Sequence, residues 1–457
     1  MKQHAPVKKN DELTVTITDL TYQGLGVAKV DGYPLFVTGA LPAERVVIHV
    51  TKVQKNFGYA RVVRWETTSP DRTAAPNKVL TQTGIAPLAH LSYAAQLRFK
   101  RKLITDLLQK DHLEIEVAPV MGMDDPWHYR NKAQVPVREV AGHLRTGFYR
   151  QRSHQFVPVT DYGIQDERID AILQVVCTVC DLYKVPAYDE EHHRGVLRHI
   201  MVRRGYYSHE VMVVLVTRTR KLPHAQEIAA QIMQRCPDVV GVMHNVNPKR
   251  TNVIMGETTT VLAGQPTITD ELNGVRFAVS AQSFYQVNPQ QTERLYATAV
   301  ERAHLTSEMT AVDAYCGIGT ITLTVARHVK HVYGVEVVPE AIKDARRNAA
   351  LNGITNATFA VGTAQEWMAK WADQGIHPDV VFVDPPRKGL TPDLIASIAQ
   401  MAPQRVVYVS CNPATLVRDL QQFMQAGYRV SAPIQPVDQF PQTVHVESVT
   451  VLERTEK

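Results

Sequence analysis

Three features that mark other classes of protein are missing from this 457-residue sequence. Its five cysteines form an odd set without a disulfide framework, which favours a reducing compartment. No apolar run reaches the ~18 residues that a membrane-spanning helix needs. The first residues, MKQHAPVKKNDE, lack the apolar core of a secretion signal. We therefore predict a cytoplasmic protein without a membrane segment.

The sequence also has little excess charge of either sign. Its net charge is +5, with 18 histidines beside it. Such a mild excess does not establish a nucleic-acid partner, because phosphate contacts depend on local basic patches. The hydrophobic fraction of 44% and the charged fraction of 21% are those of an ordinary globular protein. The length allows about three domains.

Residues 1–67 combine short alternating apolar segments with turn-forming glycines. This pattern predicts about five short strands, as in a small barrel of the OB type. Near its end, cations alternate with aromatic residues as in proteins that bind single-stranded nucleic acid; these are Lys52, Lys55, Phe57, Tyr59 and Arg61. A barrel with a solvated basic rim is the alternative interpretation.

The middle of the chain changes character. Ser69–Pro87 is rich in proline and threonine and is expected to be an irregular linker, and a helix is expected from Ser92. Residues 126–220 predict a mixed α+β unit with a basic surface, although ordinary surface charge explains the same residues. Cys177 and Cys180 have helical spacing and no second pair to complete a zinc site, so we expect two buried helical cysteines.

From about Ala311 the pattern alternates strands and helices, which predicts a doubly wound α/β sheet. Pro339–Leu351 is one of the expected helices. The expected strands are Ala311–Tyr315, Val332–Glu336, Ala357–Val361, Val380–Val383, Val406–Val409, Tyr428–Val430 and Ser448–Leu452.

A glycine loop and an acid suggest a nucleoside site. The loop D-A-Y-C-G-I-G-T spans residues 313–320 and follows the first strand, and Glu336 ends the second. A carboxylate in that place can bind ribose hydroxyls. The third spaced glycine of the dinucleotide motif is missing, which disfavours a nicotinamide cofactor. A nucleoside without pyrophosphate, such as S-adenosylmethionine, fits better.

Three further strand ends carry reactive side chains. Asp384 follows the fourth strand and is held by two prolines, and Cys411 follows the fifth, where Pro413 blocks continuation. We predict Cys411 as a nucleophile, with Cys316 as its rival within the glycine loop. Glu447 opens the last strand and is a candidate base.

Five motifs in order resemble the RNA uracil-5-methyltransferase family, which uses S-adenosylmethionine. They are S-F-Y-Q-V-N at 283–288, D-x-Y-C-G-I-G at 313–319, D-P-P-R at 384–387, S-C-N-P-A-T at 410–415 and F-P-Q-T-x-H-x-E at 440–447. The resemblance implies a Rossmann-like class I methyltransferase domain, an N-terminal TRAM domain and a central α+β RNA-binding domain. The implied bounds are 1–67 for TRAM, 68–93 with 126–275 for the central domain, and 94–125 with 276–457 for the methyltransferase domain.

The same resemblance implies roles for individual residues. It makes Cys411 the nucleophile that adds to C6 of uracil, and Glu447 the base that removes the C5 proton. The positions that match cofactor contacts of the family are Gln286, Tyr315, Gly317, Glu336 and Asp384, and Asp384 is also expected to reach the uracil. No metal ligand is implied.

Some positions depart from the family pattern. Many relatives hold an iron–sulfur cluster through four cysteines, and the matching positions here are Asn77, Thr83, Ala86 and Tyr162. We therefore expect no cluster. Two threonines, Thr320 and Thr363, replace asparagines that some relatives carry, so the resemblance leaves these two cofactor contacts open.

The expected function is methylation of C5 of uridine in 23S rRNA, since an N-terminal TRAM domain is typical of the family's ribosomal members. The partner is then RNA, and a monomer is the expected state. Three alternatives remain open: methylation of the tRNA T-loop, a non-catalytic RNA-binding protein of the same shape, and methylation of an exocyclic nitrogen. The last leaves the strand-end cysteine unexplained.

Overall fold

The computed structural model describes residues 5–455, so predictions that begin at residue 1 or end at residue 457 extend slightly past it. Within residues 5–455, no helix is long and apolar enough to cross a membrane. The strands of this part form three larger sheets and one separate hairpin.

The first sheet is built from six short strands. They are β1 (Glu12–Thr16), β2 (Asp19–Leu20), β3 (Gly26–Val30), β4 (Tyr33–Thr38), β5 (Arg45–Val53) and β6 (Gly58–Thr67), paired in the order β1-β5-β6-β4-β3-β2. Alternate apolar residues of β5, namely Val46, Ile48 and Val50, are fully buried, as expected for strands with one face on a core. The two-residue strand β2 is the one that the sequence pattern does not indicate.

The stretch expected to be an irregular linker contains a helix, α1 (Lys78–Thr83), so that expectation is wrong in part. The Asn77 side chain caps this helix by accepting a hydrogen bond from the Val79 amide at 2.9 Å. Gly84 ends it with a left-handed φ of 77°. Longer-range patterns cannot reveal so short a helix, because it depends on its caps more than on an apolar face.

The second sheet has seven strands and two helices against it. Helix α2 (Tyr93–Lys110) precedes it in the chain and packs on the third sheet. The elements of the second sheet are, in chain order, β7 (Lys132–Val140), β8 (His143–Tyr149), β9 (Phe156–Pro158), α3 (Glu167–Leu182), β10 (Leu197–Arg204), β11 (Val211–Thr217), α4 (Ala225–Arg235), β12 (Val239–Val246) and β13 (Thr258–Gly264). The strand order is β13-β12-β11-β10-β7-β8-β9. Helices α3 and α4 pack on one face, and Cys177 and Cys180 of α3 lie buried in that core.

A two-stranded hairpin follows, β14 (Thr267–Leu272) with β15 (Val275–Ser280). The predicted boundary between residues 275 and 276 falls inside β15. The domain boundaries therefore remain a prediction, and the hairpin is the place where they are least well defined.

The third sheet carries the C-terminal half of the chain. Its elements, with their helices, are α5 (Pro289–Arg302), β16 (Thr310–Asp313), α6 (Thr320–Ala326), β17 (His331–Glu336), α7 (Pro339–Leu351), β18 (Ala357–Val361), α8 (Ala364–Asp373), β19 (Val380–Val383), α9 (Pro392–Met401), β20 (Arg405–Ser410), α10 (Pro413–Gln425), β21 (Tyr428–Val430), β22 (Gln435–Val437) and β23 (Glu447–Arg454). The first five strands are parallel in the order β18-β17-β16-β19-β20, and β23 runs antiparallel beside β20.

This strand order positions the site. The chain leaves β16 for β17 on one side and reaches β19 on the other, so the order reverses between β16 and β19. Open α/β sheets bind ligands at the carboxyl ends of the strands at such a reversal. Helix α2 covers one face of this sheet, with Ile104 and Leu108 buried against α10 residues such as Leu416 and Phe423.

Candidate active site

A cavity of about 770 Å³ opens at the carboxyl edge of the third sheet, next to the reversal between β16 and β19. The seven residues predicted to be catalytic or to bind the cofactor all line it: Gln286, Tyr315, Gly317, Glu336, Asp384, Cys411 and Glu447. Thr320 and Thr363 line it as well. The structure thus brings together residues that are up to about 160 positions apart in the chain, because β16, β17, β19, β20 and β23 all present an end to this edge.

The glycine loop after β16 is pinned by a buried carboxylate. Asp313 accepts hydrogen bonds from the Thr322 hydroxyl at 2.6 Å and from the Tyr315 amide at 3.2 Å. The Cys316 amide donates to the Val335 carbonyl at 3.0 Å, which ties the loop to the end of β17. The loop is therefore held open toward the cavity by groups that lie beneath it.

The donor set of the loop suits a nucleoside cofactor. Gly317 has a left-handed φ of 52°, and a Cβ built on it would meet nothing within 4 Å. The missing side chain leaves room for a ligand to approach the backbone closely. Glu336, at the end of β17, adds a carboxylate that can accept two hydrogen bonds from ribose hydroxyls. The space beside Gly317 and the Glu336 carboxylate together fit S-adenosylmethionine.

Two further carboxylates face the same cavity, and burial keeps both easier to protonate than usual. Burial, with the nearby Asp313 charge, raises the pKa of Asp384 to about 7. Glu447 is 4% exposed, and burial followed by the Asp384 charge raises its pKa well above the usual range. Arg387 acts in the opposite direction on Glu447. A carboxyl whose pKa is moved toward neutrality is suited to proton transfer.

The two candidate thiols differ in access. Cys411 is half-buried at the end of β20, and Cys316 is 2% exposed beneath the glycine loop. A Cβ added to Gly334 would come within 3.1 Å of the Cys316 sulfur, so that sulfur is packed against β17. Burial raises the pKa of the Cys316 thiol well above its usual range. Both cysteines line the cavity, but the negative charges that act on the Cys411 thiol are those of Glu447 and Asp384, whereas those that act on Cys316 are Asp313 and Glu336.

Burial also raises the pKa of Cys411, to about 12, with the charges of Glu447 and Asp384 adding to the effect. The Arg387 guanidinium is the nearby charge that lowers it. Since only the thiolate is nucleophilic, the two acids oppose activation of the thiol while they are ionised. Protonation of either acid and the charge of Arg387 both favour the thiolate.

The loop that carries Gln286 is fixed by its neighbours. The Asn288 side chain caps α5, accepting from the Gln291 amide at 3.3 Å, and also donates to the Gln439 carbonyl at 3.1 Å. Gln286 is 9% exposed, whereas the adjacent Phe284 is 70% exposed at the cavity wall. This loop therefore presents one buried amide and one exposed aromatic ring.

Sequence reasoning assigned no role to several lining residues. Arg387 and His445 stand inside motifs that were recognised, and their nitrogens lie 3.4 Å apart at the cavity. Tyr296 of α5 is 2% exposed and lines the cavity without belonging to any motif. Its helical periodicity indicates only a core position, so no sequence signal distinguished it.

Of the four positions that match iron–sulfur ligands, Ala86 and Tyr162 lie in an apolar core, whereas Asn77 caps helix α1 and Thr83 ends it. Tyr162 and Ala86 are fully buried, and the Tyr162 ring packs edge-on against Phe148 with 5.8 Å between centroids. Within residues 5–455, no group of three or more His, Cys, Asp or Glu side chains is placed to hold a metal ion. The expected absence of a cluster stays a prediction.

Comparison with known proteins identifies two regions. The sequence profile described as tRNA (uracil-5-)-methyltransferase matches residues 92–455, and that of the TRAM domain matches residues 6–63. An uncharacterized RNA methyltransferase of Lactiplantibacillus plantarum is 58% identical, covering 99% of this chain and 100% of the relative. Another, of Enterococcus faecalis, is 51% identical over 98% of each chain.

One solved structure is similar over most of the chain. It is the tRNA (uracil-54, C5)-methyltransferase of Pyrococcus abyssi in complex with S-adenosyl-L-homocysteine. The similarity has a TM-score of 0.77 at 26% identity and covers 96% of this chain and 100% of that one. The fold class expected from the sequence is confirmed, a Rossmann-like methyltransferase fold with an N-terminal TRAM domain. The chain belongs to the tRNA (uracil-5-)-methyltransferase family and is an S-adenosylmethionine-dependent RNA (uracil-5-)-methyltransferase.

Proposed function

We propose that this enzyme methylates C5 of uridine in 23S rRNA through a transient bond between the Cys411 sulfur and C6 of the target base. The observation that carries the proposal is the shared cavity, in which an accessible thiol and the buried Glu447 carboxyl lie beside the glycine loop and Glu336. The target base must leave its stack to reach a thiol at this depth, so base flipping is expected.

Cofactor binding falls to residues of three strand ends and one loop. Glu336 would hold the ribose, Gly317 and Tyr315 would line the nucleoside, and Gln286 and Asp384 would contact the remaining polar groups. When bound there, S-adenosylmethionine would supply an electrophilic methyl group, and its sulfonium sulfur would keep the electron pair of the broken S–CH3 bond. The chain's own residues then have three tasks: to make C5 of uracil nucleophilic, to position it, and to take up its proton.

The thiol and the carboxyl perform these tasks in sequence. Cys411 gives its proton to water in the open cavity, and the thiolate adds to C6, which places the C5=C6 electron pair on C5 and O4 as an enolate. C5 is then nucleophilic and can form a bond to the methyl carbon. Once C5 carries a methyl group, ionised Glu447 removes the C5 proton. The electrons of that C–H bond re-form C5=C6, the C6–S bond breaks, and the thiolate returns.

The choice of 23S rRNA rests on the TRAM domain, because N-terminal TRAM domains are typical of the ribosomal members of the family. Methylation of the tRNA T-loop is the second candidate. It is favoured by similarity to the Pyrococcus abyssi enzyme, whose name specifies uracil-54 of tRNA. We place the reaction in the cytoplasm, where cysteines such as Cys411 stay reduced.

Two experiments test the proposal. Methyl transfer from tritiated S-adenosylmethionine to purified 23S rRNA and to tRNA decides the substrate, and labelling of tRNA alone would overturn our choice. Trapping on 5-fluorouridine RNA tests the adduct, because fluorine at C5 cannot leave as a proton does. We expect a covalent complex with the wild type and with Cys316→Ala, and none with Cys411→Ala. A complex with Cys411→Ala would move the nucleophile to Cys316, and none with the wild type would favour a non-catalytic RNA-binding role.

A further inference from the structure

A second, smaller cavity lies on the central sheet beside the start of β7. Its volume is about 250 Å³, below the ~300–1,000 Å³ of sites that enclose a whole drug-sized ligand. Its walls combine amides and cations with apolar side chains, chiefly Arg130, Lys132, Gln134, Phe148, Gln165 and Ile254. A cavity of this size suits one fragment of a larger molecule.

Lys132 is the unusual member of this cavity. Within residues 5–455 its ammonium group forms no salt bridge, and the charges that act on it are the like charges of Arg203 and Arg130. Burial and these two arginines lower its pKa to about 7. By contrast, the buried Lys100 is neutralised by an ion pair with Asp438. A half-buried cation among other cations is costly unless an anion joins it.

Gln165 contributes an unpaired hydrogen-bond acceptor to the same cavity. It is 4% exposed, and its Oε1 has no hydrogen-bond partner in the part of the chain that the structure describes. A phosphodiester by itself satisfies Lys132 but has no hydrogen to offer this oxygen. A ligand that binds both Lys132 and Gln165 must therefore carry an anionic group and, close to it, a hydrogen-bond donor. The ribose-phosphate unit of RNA has both, in its phosphodiester and its 2′-hydroxyl.

The backbone connects this cavity to the active site. The amide of Asn131, next to Lys132, donates to the Val287 carbonyl at 2.9 Å, and the Asn131 side chain reaches the Gln286 carbonyl at 3.5 Å. Arg203, opposite Lys132 in the β7–β10 register, donates to the Ser280 and Ser283 carbonyls. The two residues beside Lys132, Asn131 along the chain and Arg203 across the sheet, therefore tie the cavity wall to the loop that carries Phe284 and Gln286.

We propose that this cavity binds a ribose-phosphate unit of the RNA strand that carries the target uridine, with Lys132 and Arg130 on the phosphodiester and Gln165 on the ribose hydroxyl. The assignment rests on the proposed RNA substrate, and it adds a binding site outside the catalytic cleft. Free inorganic phosphate shares the anionic chemistry but lacks the ribose donor.

The test measures RNA affinity and methyl transfer with Lys132→Gln, and with Lys343→Gln as the control. Lys343 is 75% exposed on α7, so its loss removes the same charge without touching the cavity. A charge-assisted hydrogen bond predicts that Lys132→Gln raises the KM for RNA at least about tenfold with kcat little changed. The slope of log affinity against log salt should fall by about 0.7–0.9, the value for one phosphate. Lys132→Arg should restore most of the affinity.

Two further experiments distinguish a ribose-phosphate unit of RNA from free phosphate as the ligand. A 2′-deoxy scan of the nucleotides around the target should find one position that weakens the wild type and not Gln165→Met. Competition with inorganic phosphate at millimolar concentration should leave RNA binding unchanged. Equal salt slopes for the Lys132 and Lys343 variants, both folded by thermal melting, would overturn the inference. Failure of the wild type to methylate any RNA would instead overturn the proposed function.

Discussion

Replacement of Lys100 by methionine should destabilise the protein strongly. Lys100 of α2 and Asp438 have side chains with 0% exposure and form a buried ion pair across more than 300 residues of chain. The Lys100 ammonium also donates to the Phe440 carbonyl at 3.0 Å, and the Tyr93 hydroxyl donates to Asp438 at 2.9 Å. These bonds anchor the segment that leads to Glu447.

The magnitude follows from burial. Lys100→Met leaves the Asp438 carboxylate out of water with the Tyr93 hydroxyl as its remaining side-chain donor. Breaking one partner of such a buried pair costs about 3–5 kcal/mol in the free energy of unfolding. For a cooperative unit of roughly 150–250 residues that corresponds to a fall in Tm of about 6–20 °C. Methyl transfer should fall as well, because Phe440, His445 and Glu447 lie on the anchored segment and line the cavity.

Urea unfolding followed by circular dichroism, with a double-mutant cycle, measures the effect. The control is Lys102→Met on the same helix, whose side chain is 52% exposed; its exposed pairs should be worth less than about 1 kcal/mol. Lys100→Met with Asp438→Asn removes both charges, so the double variant should cost at least about 1 kcal/mol less than the sum of the single variants. Additive costs, or a loss below about 1 kcal/mol for Lys100→Met, would refute the reasoning.

Three further outcomes are expected. Arg387→Met removes the positive charge that lowers the pKa of Cys411, so that pKa should rise. The rate at pH 7.5 should fall about tenfold per pKa unit, and the ascending limb of kcat/KM against pH should move to higher pH; an unshifted profile would contradict the assignment. Glu447→Gln should block removal of the C5 proton, so mass spectrometry should find the RNA adduct accumulating on natural RNA; turnover at the wild-type rate would exclude Glu447 as the base. Tyr162→Ala should cost about 3–5 kcal/mol by opening a cavity in the apolar core, whereas Tyr162→Phe should cost far less in the same thermal melts.

Much of the methyltransferase sheet follows from local sequence. The structure has α7 at Pro339–Leu351, β18 at Ala357–Val361 and β19 at Val380–Val383, each with the predicted bounds. These elements are bounded by prolines, glycines and abrupt changes between apolar and polar residues, and all four residues of β19 are buried. Strong local signals of this kind need no tertiary information.

Short elements that depend on one cap or one pairing strand were less predictable. Helix α1 relies on the Asn77 cap, and the three-residue strand β22 exists because it pairs with β23. Neither has an apolar pattern of its own. The start of the helix at Ser92 was expected from a side-chain cap, but Ser92 makes no such hydrogen bond, and the Gln96 amide instead donates to its carbonyl.

The sequence by itself determined which residue types the chemistry has available: one thiol at a strand end, a glycine loop, and carboxylates at 336, 384 and 447. The tertiary structure decided how these groups affect one another. Access separated Cys411 from Cys316, burial and proximity raised the pKa of Asp384 and Glu447, and Arg387, His445 and Tyr296 joined the cavity. It also left Lys132 among like charges, because burial and electrostatic potential depend on atoms brought together from remote parts of the chain.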